Sequence, residues 1–213
     1  QWRCEVVRWG VDTNMFVPLD RDHEDTMLAH EAIRNRYGEP DENALAGLPD
    51  TETPLLLAVG RLVARKGYRT LLKAMPDVLK SFPRAHLVIV GRGHMKRTLE
   101  RQAKRLGVSE SVTIEPGLPF DELAQLFRSA DLVAYPSYYE GQGLIPLEAM
   151  ASGTPVVTVD DGPLPEMVDN SVGGLFDIDQ AGTLSKTIES LLQDYNGRQT
   201  MAKNGRKRVL DEY

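Results

Sequence analysis

From Leu55 onward, apolar and polar positions alternate between two rhythms. Short, mostly apolar runs at Leu55–Val59, His86–Val90, Val112–Glu115, Leu132–Tyr135 and Pro155–Val159, with a weaker one at Gly174–Phe176, read as strands. Between the first two, Tyr68, Leu71, Leu72, Met75, Val78 and Leu79 recur at i, i+3, i+4, i+7, i+10 and i+11, which is one face of an amphipathic helix. Further helices are predicted over Met95–Leu106, Asp121–Arg128, Leu144–Ala151, Ala181–Leu192 and Arg198–Glu212. Strands that are apolar throughout are buried on both faces. Strand–helix alternation then predicts an α/β fold, a doubly wound, mostly parallel sheet with helices on both faces and right-handed crossovers. Ligands in such sheets lie beyond the carboxyl ends of the strands, so the loops after Val59, Val90, Glu115 and Tyr135 are the ones that matter.

Composition narrows the class. With 41% hydrophobic and 26% charged residues, collagen-like, low-complexity and wholly disordered chains are excluded. The net charge of −6 argues against a dedicated nucleic-acid binder, so no nucleic-acid partner is expected. Eleven of the 31 acids but five of the 25 bases fall in residues 1–50, leaving the rest balanced. The stretch 20–53 therefore reads as an acidic surface insertion or mobile loop. Cys4 is the single cysteine, which excludes an intrachain disulfide and fits a reducing, cytoplasmic compartment. The longest purely apolar run, Leu55–Val59, is far short of the ~20 residues of a membrane span. Starting at Gln1 without Met, residues 1–213 read as one domain of a longer chain.

Several motifs carry candidate chemistry. The loop Gly60-Arg61-Leu62-Val63-Ala64-Arg65-Lys66-Gly67 lacks the Gly-Lys-Ser/Thr of a Walker loop, but it puts three cations between a strand and a helix start. It is either a phosphate site or a solvated basic loop. Gly91-Arg92-Gly93 partly matches a dinucleotide fingerprint, but Lys96 stands where the third glycine belongs. Asp177-Ile178-Asp179 resembles a metal-holding acidic pair and reads better as a cap and turn; the four histidines show no ligand spacing, so no metal is expected. The richest segment runs from Tyr135 to Pro155. Glu140 lies in a loop with Gly141 and Gly143, a helix begins near Leu144, and Glu148 sits one turn inside it. Free N–H groups at that helix start suit a pyrophosphate, and an ionised carboxylate can accept both hydroxyls of a ribose. With the basic loop after Val59, the constellation describes a sugar nucleotide.

Glu140-x7-Glu148 within Glu-Gly-x-Gly-Leu … Glu-Ala-Met-Ala-x-Gly-x-Pro-Val-Val resembles the signature of retaining glycosyltransferases of family 4, which have the GT-B fold. Gly10-Val11-Asp12-Thr13, Gly60-Arg61-Leu62 … Lys66-Gly67, Leu87–Gly93, Ala130-Asp131 … Pro136-Ser137 and Pro165-Glu166 match in the same order. The resemblance implies the C-terminal, donor-binding domain, with an acceptor domain preceding Gln1. It implies that Arg61 and Lys66, beside Gly60, hold the donor diphosphate and stabilise the leaving group without metal or other cofactor. Gly141, Gly143, Leu144 and Ile145 would add backbone donors, Glu148 would hold the ribose, Glu140 would face the transferred sugar, and the base would lie near Gly117–Leu118. Catalytic roles fall on Glu140, Arg61 and Lys66. The partners implied are a nucleotide sugar and a sugar, lipid or glycan acceptor, with peripheral membrane contact in the whole protein. Gln142, Pro163 and Trp9 depart from the pattern and bear on sugar preference. A non-catalytic nucleotide- or sugar-binding module and a sugar-nucleotide epimerase share this fold and are the alternatives. The face around Glu140 is expected to be open and apolar-rimmed, and the isolated domain inactive in transfer.

Overall fold

A computed structural model describes residues 10–37, 53–180 and 182–213. Trp9, Cys4 and most of the loop segment in 38–53 lie outside the described residues. The elements run α1 (Glu24–Tyr37), β1 (Leu55–Val59), α2 (Tyr68–Ser81), β2 (His86–Val90), α3 (Lys96–Leu106), β3 (Val112–Glu115), α4 (Phe120–Ser129), β4 (Leu132–Tyr135), α5 (Leu144–Ala151), β5 (Val156–Val159), β6 (Gly173–Phe176), α6 (Thr183–Gln193) and α7 (Tyr195–Glu212). The six strands form one sheet in the order β3-β2-β1-β4-β5-β6, every pair parallel. Chain direction across the sheet reverses between β1 and β4, and the crevice above that switch point is where such folds bind ligands.

The apolar runs are buried as expected except at Val112–Glu115, which forms the edge strand β3 and is only half-buried. Leu55–Leu57, Leu87–Ile89, Leu132–Ala134 and Val156–Val157 are inaccessible or nearly so. Leu71, Leu72, Met75 and Val78 are the buried stripe of α2. Helix α7 starts three residues earlier than the periodicity suggests, because the Asp194 carboxylate caps it, accepting from the Gly197 N–H at 2.8 Å. Gly91 and Gly93 serve packing: a Cβ on Gly91 would stand 1.9 Å from the Gly60 carbonyl oxygen, and one on Gly93 2.3 Å from that of Leu62. The Gly-x-Gly thus seats the β2–α3 loop against the β1–α2 loop, and the partial dinucleotide fingerprint needs no other explanation. Asp177-Ile178-Asp179 is a turn, with Asp177 Oδ1 accepting the Asp179 N–H and its carbonyl accepting from Thr183 Oγ1.

One expectation is corrected. The acidic stretch read as an insertion or loop contains α1, which packs on α4. It buries only Ile33 and Tyr37 and is held by charge. Arg34 reaches Asp131 at 2.9 Å, Arg36 reaches Glu115 at 3.2 Å, and the Tyr37 hydroxyl donates to Glu115 at 3.1 Å. Burial, with the Glu115 carboxylate beside it, pushes that hydroxyl up to about 12. Asp131 also accepts the Leu55 N–H at 2.8 Å, so the Ala-Asp pair of the family pattern clasps α1 to the start of β1.

Candidate functional site

The loops after β1 and β4 meet over the switch point and are joined along their length. The Arg65 carbonyl accepts from the Tyr138 N–H at 2.8 Å and from Ser137 Oγ at 3.2 Å. The Arg65 guanidinium donates to the Tyr139 carbonyl at 3.0 Å, and the Thr70 and Tyr138 hydroxyls share a hydrogen bond of 2.6 Å. Gly67 lies at φ +71°, and a Cβ there would stand 1.8 Å from the Pro136 carbonyl oxygen. This contact closes the joint, and a side chain at 67 would pry it open.

Lys66 and Glu140 sit at its centre, touching each other. Lys66 Nζ donates to Glu140 Oε1 at 2.6 Å and to the Tyr135 hydroxyl at 2.8 Å, and it lies 4.8 Å from the Tyr135 ring centroid. Ser137 Oγ donates to the same carboxylate oxygen. Burial works against the Glu140 charge, but the hydrogen bonds from Lys66 and Ser137, the Lys66 charge and the Tyr135 hydroxyl outweigh it and hold the carboxyl below the usual range. Burial first, then the Glu140 charge, push the Tyr135 hydroxyl well up. The nearby Tyr68 hydroxyl is buried with no hydrogen-bond partner.

The other predicted residues lie on the loops and helix starts after β1, β3 and β4. Gly60 follows β1, its N–H bonded to the Val90 carbonyl at 3.0 Å. Arg61 is exposed and makes no ion pair with a described residue, so of the three cations in the loop it is the one left facing solvent. Gly141 is exposed, and Gly143 caps α5 with no side chain on the first-turn N–H groups, those of Leu144 and Ile145 among them. Leu118 is half-buried in the β3–α4 loop, where Arg92 Nε donates to the Pro116 carbonyl at 2.8 Å. Phe120 and Tyr139 are 70% and 74% exposed and Leu144 is also exposed; Tyr139 adjoins Glu140 in sequence, while Phe120 and Leu144 line the cleft beside Glu148.

Glu148 is separate from the Lys66–Glu140 pair. It lines a cleft of about 280 Å³ with Gly10–Asp12, Met15, Phe16, Phe120 and Leu144. Its Oε2 is buried without a partner, and burial raises its pKa from 4.5 to about 7. In the unfolded chain the group ionises near 4.5 and in the folded one near 7, so its ionisation lowers stability as pH climbs from 4.5 through 7 and the cost is constant above. Glu148→Gln is therefore expected to stabilise the ligand-free chain by about 1–3 kcal/mol at pH 8 and by little at pH 4.5. Urea denaturation at the two pH values checks this; equal stability at pH 8 would contradict it.

A larger cavity, about 730 Å³, lies at the opposite pole among α1, α4 and α7. Two of its cations serve helix ends: Arg206 donates to the Ala151 carbonyl as well as that of Phe16, and Arg198 to those of Leu191 and Leu192. It brings none of the predicted site residues together. Among the described residues no group of His, Cys, Asp and Glu could hold a metal ion, and no helix is long and apolar enough to cross a membrane.

Motif reading quoted Ser137 without giving it a role and did not single out Tyr135, yet both contact the Lys66–Glu140 pair. The one sign of Tyr135 is an aromatic hydroxyl ending an otherwise aliphatic strand, Leu132-Val133-Ala134.

A parallel sheet in this order, with a charged Lys66–Glu140 pair at the switch point between β1 and β4, is a doubly wound α/β fold with its site where such folds bind ligands. Residues 41–208 match the family model described as "Glycosyl transferases group 1", and the chain belongs to that family. It is 37% identical over 168 residues to an uncharacterised glycosyltransferase of Methanocaldococcus jannaschii, covering 78% of this chain and 43% of that protein. It is 34% identical over 212 residues to a GDP-mannose-dependent alpha-(1-6)-phosphatidylinositol monomannoside mannosyltransferase of Mycolicibacterium smegmatis, covering 96% of this chain and 51% of that one. Among solved structures, the C-terminal domain of a glycosyl transferase group 1 family protein from Francisella tularensis superposes with a TM-score of 0.74 at 26% identity, covering 96% of this chain and 98% of that one. The chain spans about half the length of the curated relatives it matches.

Proposed function

We propose that this chain is the donor-binding domain of a retaining glycosyltransferase that moves a sugar from a nucleoside diphosphate to an acceptor held by a second, N-terminal domain. The observation that carries the reading is the buried Lys66–Glu140 pair joining the β1–α2 and β4–α5 loops above the switch point, with solvent-facing Arg61 on the first loop and α5, whose N-cap Gly143 brings no side chain to its first-turn N–H groups, following the second. Arg61, Lys66 and the N–H groups of Leu144 and Ile145 neutralise the diphosphate and stabilise it as it leaves, so no metal is needed. Glu140, already ionised, turns to the hydroxyls of the transferred sugar. Glu148 receives the ribose: two hydroxyl donors satisfy its orphaned oxygen and draw it to the ionised form. The base lies along Gly117–Leu118. The name of the mycobacterial relative supports a nucleotide-sugar donor. The whole protein is placed in the cytoplasm, with peripheral membrane contact where the acceptor is a lipid. Catalysis rather than mere binding is favoured because Glu140, beside Lys66, is kept charged at a site open to a second substrate.

Isothermal titration with UDP, GDP, ADP and dTDP tests this. Binding of at least one without Mg²⁺ is expected, with Arg61→Ala weakening it about 10- to 150-fold through loss of a charge-assisted contact. Glu148→Gln should weaken the bare nucleotide, whereas Glu140→Gln should spare it and weaken the intact sugar nucleotide. Strict metal dependence would remove the phosphate assignment. The chain alone should show negligible transfer, since aligning two substrates supplies ~7–11 kcal/mol of such barriers and the acceptor half is needed for it. Robust transfer by residues 1–213 would place the acceptor site within them.

A further inference from the structure

We propose that Tyr135 is a positioning residue that keeps Lys66 on the diphosphate once Glu140 has turned to the sugar. This rests on the reading of Lys66 as a diphosphate ligand and adds a component that reading lacks. In the ligand-free site Lys66 Nζ has two side-chain partners, Glu140 at 2.6 Å and the Tyr135 hydroxyl at 2.8 Å. The contact to Glu140 weakens as that carboxylate turns to the sugar hydroxyls, whereas the contact to Tyr135 does not depend on Glu140. The two partners also differ in what holds them. Glu140 sits in the loop beyond β4, on a backbone that precedes α5. Tyr135 is the last residue of β4, in register with Thr158 of β5, and its carbonyl accepts from Thr158 Oγ1 at 3.0 Å. Its side chain is buried, 3% exposed, under the ammonium it contacts. The strand therefore presents a fixed hydroxyl oxygen, and the ammonium can pivot about that contact and turn its remaining hydrogens to a phosphate. Tyr68 is the internal comparison: its hydroxyl is as deeply buried beside Gly60 but bonds nothing.

Tyr135→Phe keeps the ring and the packing and deletes only the oxygen. Titration of this chain with UDP and GDP is expected to show about a 3- to 10-fold loss of affinity in Tyr135→Phe, the size of one hydrogen bond, and no loss in Tyr68→Phe. In a Lys66→Met background Tyr135→Phe should cause no further loss, because the hydroxyl acts through Lys66. In the wild-type chain with nucleotide bound, the Lys66 ammonium protons should exchange slowly enough with water to be seen by NMR. That signature does not require any variant to fold. Unchanged affinity in Tyr135→Phe, an equal loss in Tyr68→Phe, a Tyr135→Phe loss that persists without Lys66, or fast-exchanging Lys66 protons would each overturn the proposal while leaving nucleotide binding intact. Failure of the wild-type chain to bind either nucleotide would instead remove the diphosphate reading and this inference with it.

Discussion

Lys66→Ala is expected to unfold the chain far more readily than any other single loss of charge. Both side chains of the Lys66–Glu140 pair are about one-tenth exposed, at 10% and 9%, so water screens little of the interaction. Removing the ammonium leaves Glu140 buried with only hydroxyls for company. Breaking a buried pair from one side typically costs about 3–5 kcal/mol, most of it the penalty of the stranded charge. A double variant, Lys66→Met with Glu140→Gln, should regain much of that loss, because no charge is then buried unpaired. Both are predicted to bind nucleoside diphosphate poorly. Chemical denaturation across the four-member cycle separates stability from binding; a Lys66→Ala chain as stable as the wild type would mean the pair is not formed in solution. The pair also sets an acid limit. Glu140 is held below the usual carboxylate range, so its contribution is present above that range and is lost as pH falls through the depressed value.

Gly67→Ala should do comparable damage without touching a charge. An alanine there meets two penalties. The left-handed backbone at φ +71° costs a side-chain-bearing residue roughly 1–2 kcal/mol. The Cβ at 1.8 Å from the Pro136 oxygen must then push the two loops apart, and the bonds to the Arg65 carbonyl go with them. A total loss of about 3 kcal/mol or more is expected, near the upper end for a single substitution. Gly107→Ala is the control: φ is +72°, but nothing lies within 4 Å of its Cβ, so only the backbone penalty applies. Urea denaturation of the two variants should differ by at least about 1.5 kcal/mol, the part due to collision alone. Equal losses would show that the loops part without resistance.

Hydrophobic rhythm made the sheet and most of its helices legible, because the central strands are buried on both faces and helices such as α2 and α6 show an apolar stripe, whereas the edge strand β3 is half-buried and α7 buries only Arg198, Gly205 and Val209. Helix α1 was not legible by that route. Leu28 points outward, only Ile33 and Tyr37 are buried, and attachment comes from Arg34, Arg36 and Tyr37 meeting acids that lie 78 to 97 residues away in the chain. Long-range ion pairs leave no local period. What the sequence did carry was a charge order suited to a helix, Glu24 and Asp25 in the first turn and Arg34 and Arg36 in the last. The site was legible to the same depth. The residues alone singled out Glu140, Glu148 and three cations of the β1–α2 loop, and the family resemblance assigned roles to Arg61, Lys66, Glu140 and Glu148, but neither gave the ligand-free pairing of Lys66 with Glu140. That contact depends on where β1 and β4 sit in the sheet, and so do the parts played by Tyr135 and Ser137. The difference between the two glutamates was equally out of reach. Glu140 is kept ionised by its neighbours and Glu148 is pushed toward neutrality by burial alone, and burial is a property of the folded chain.

The stitching of the β1–α2 loop to the β4–α5 loop has a consequence for kinetics. A pocket whose walls are separate and mobile spends part of its time in unsuitable shapes, and its apparent affinity is reduced by the fraction of molecules poised to accept ligand. Here the backbone of both walls is tied through Arg65, Ser137, Tyr138 and Tyr139 before any ligand arrives, leaving the exchange of partners around Lys66 as the step between the empty and the filled site. Side chains change rotamer in picoseconds to nanoseconds, whereas loops rearrange over nanoseconds to microseconds. Encounter with nucleotide should accordingly proceed in a single phase, first order in ligand up to high concentration, with no plateau imposed by a slow opening of the protein.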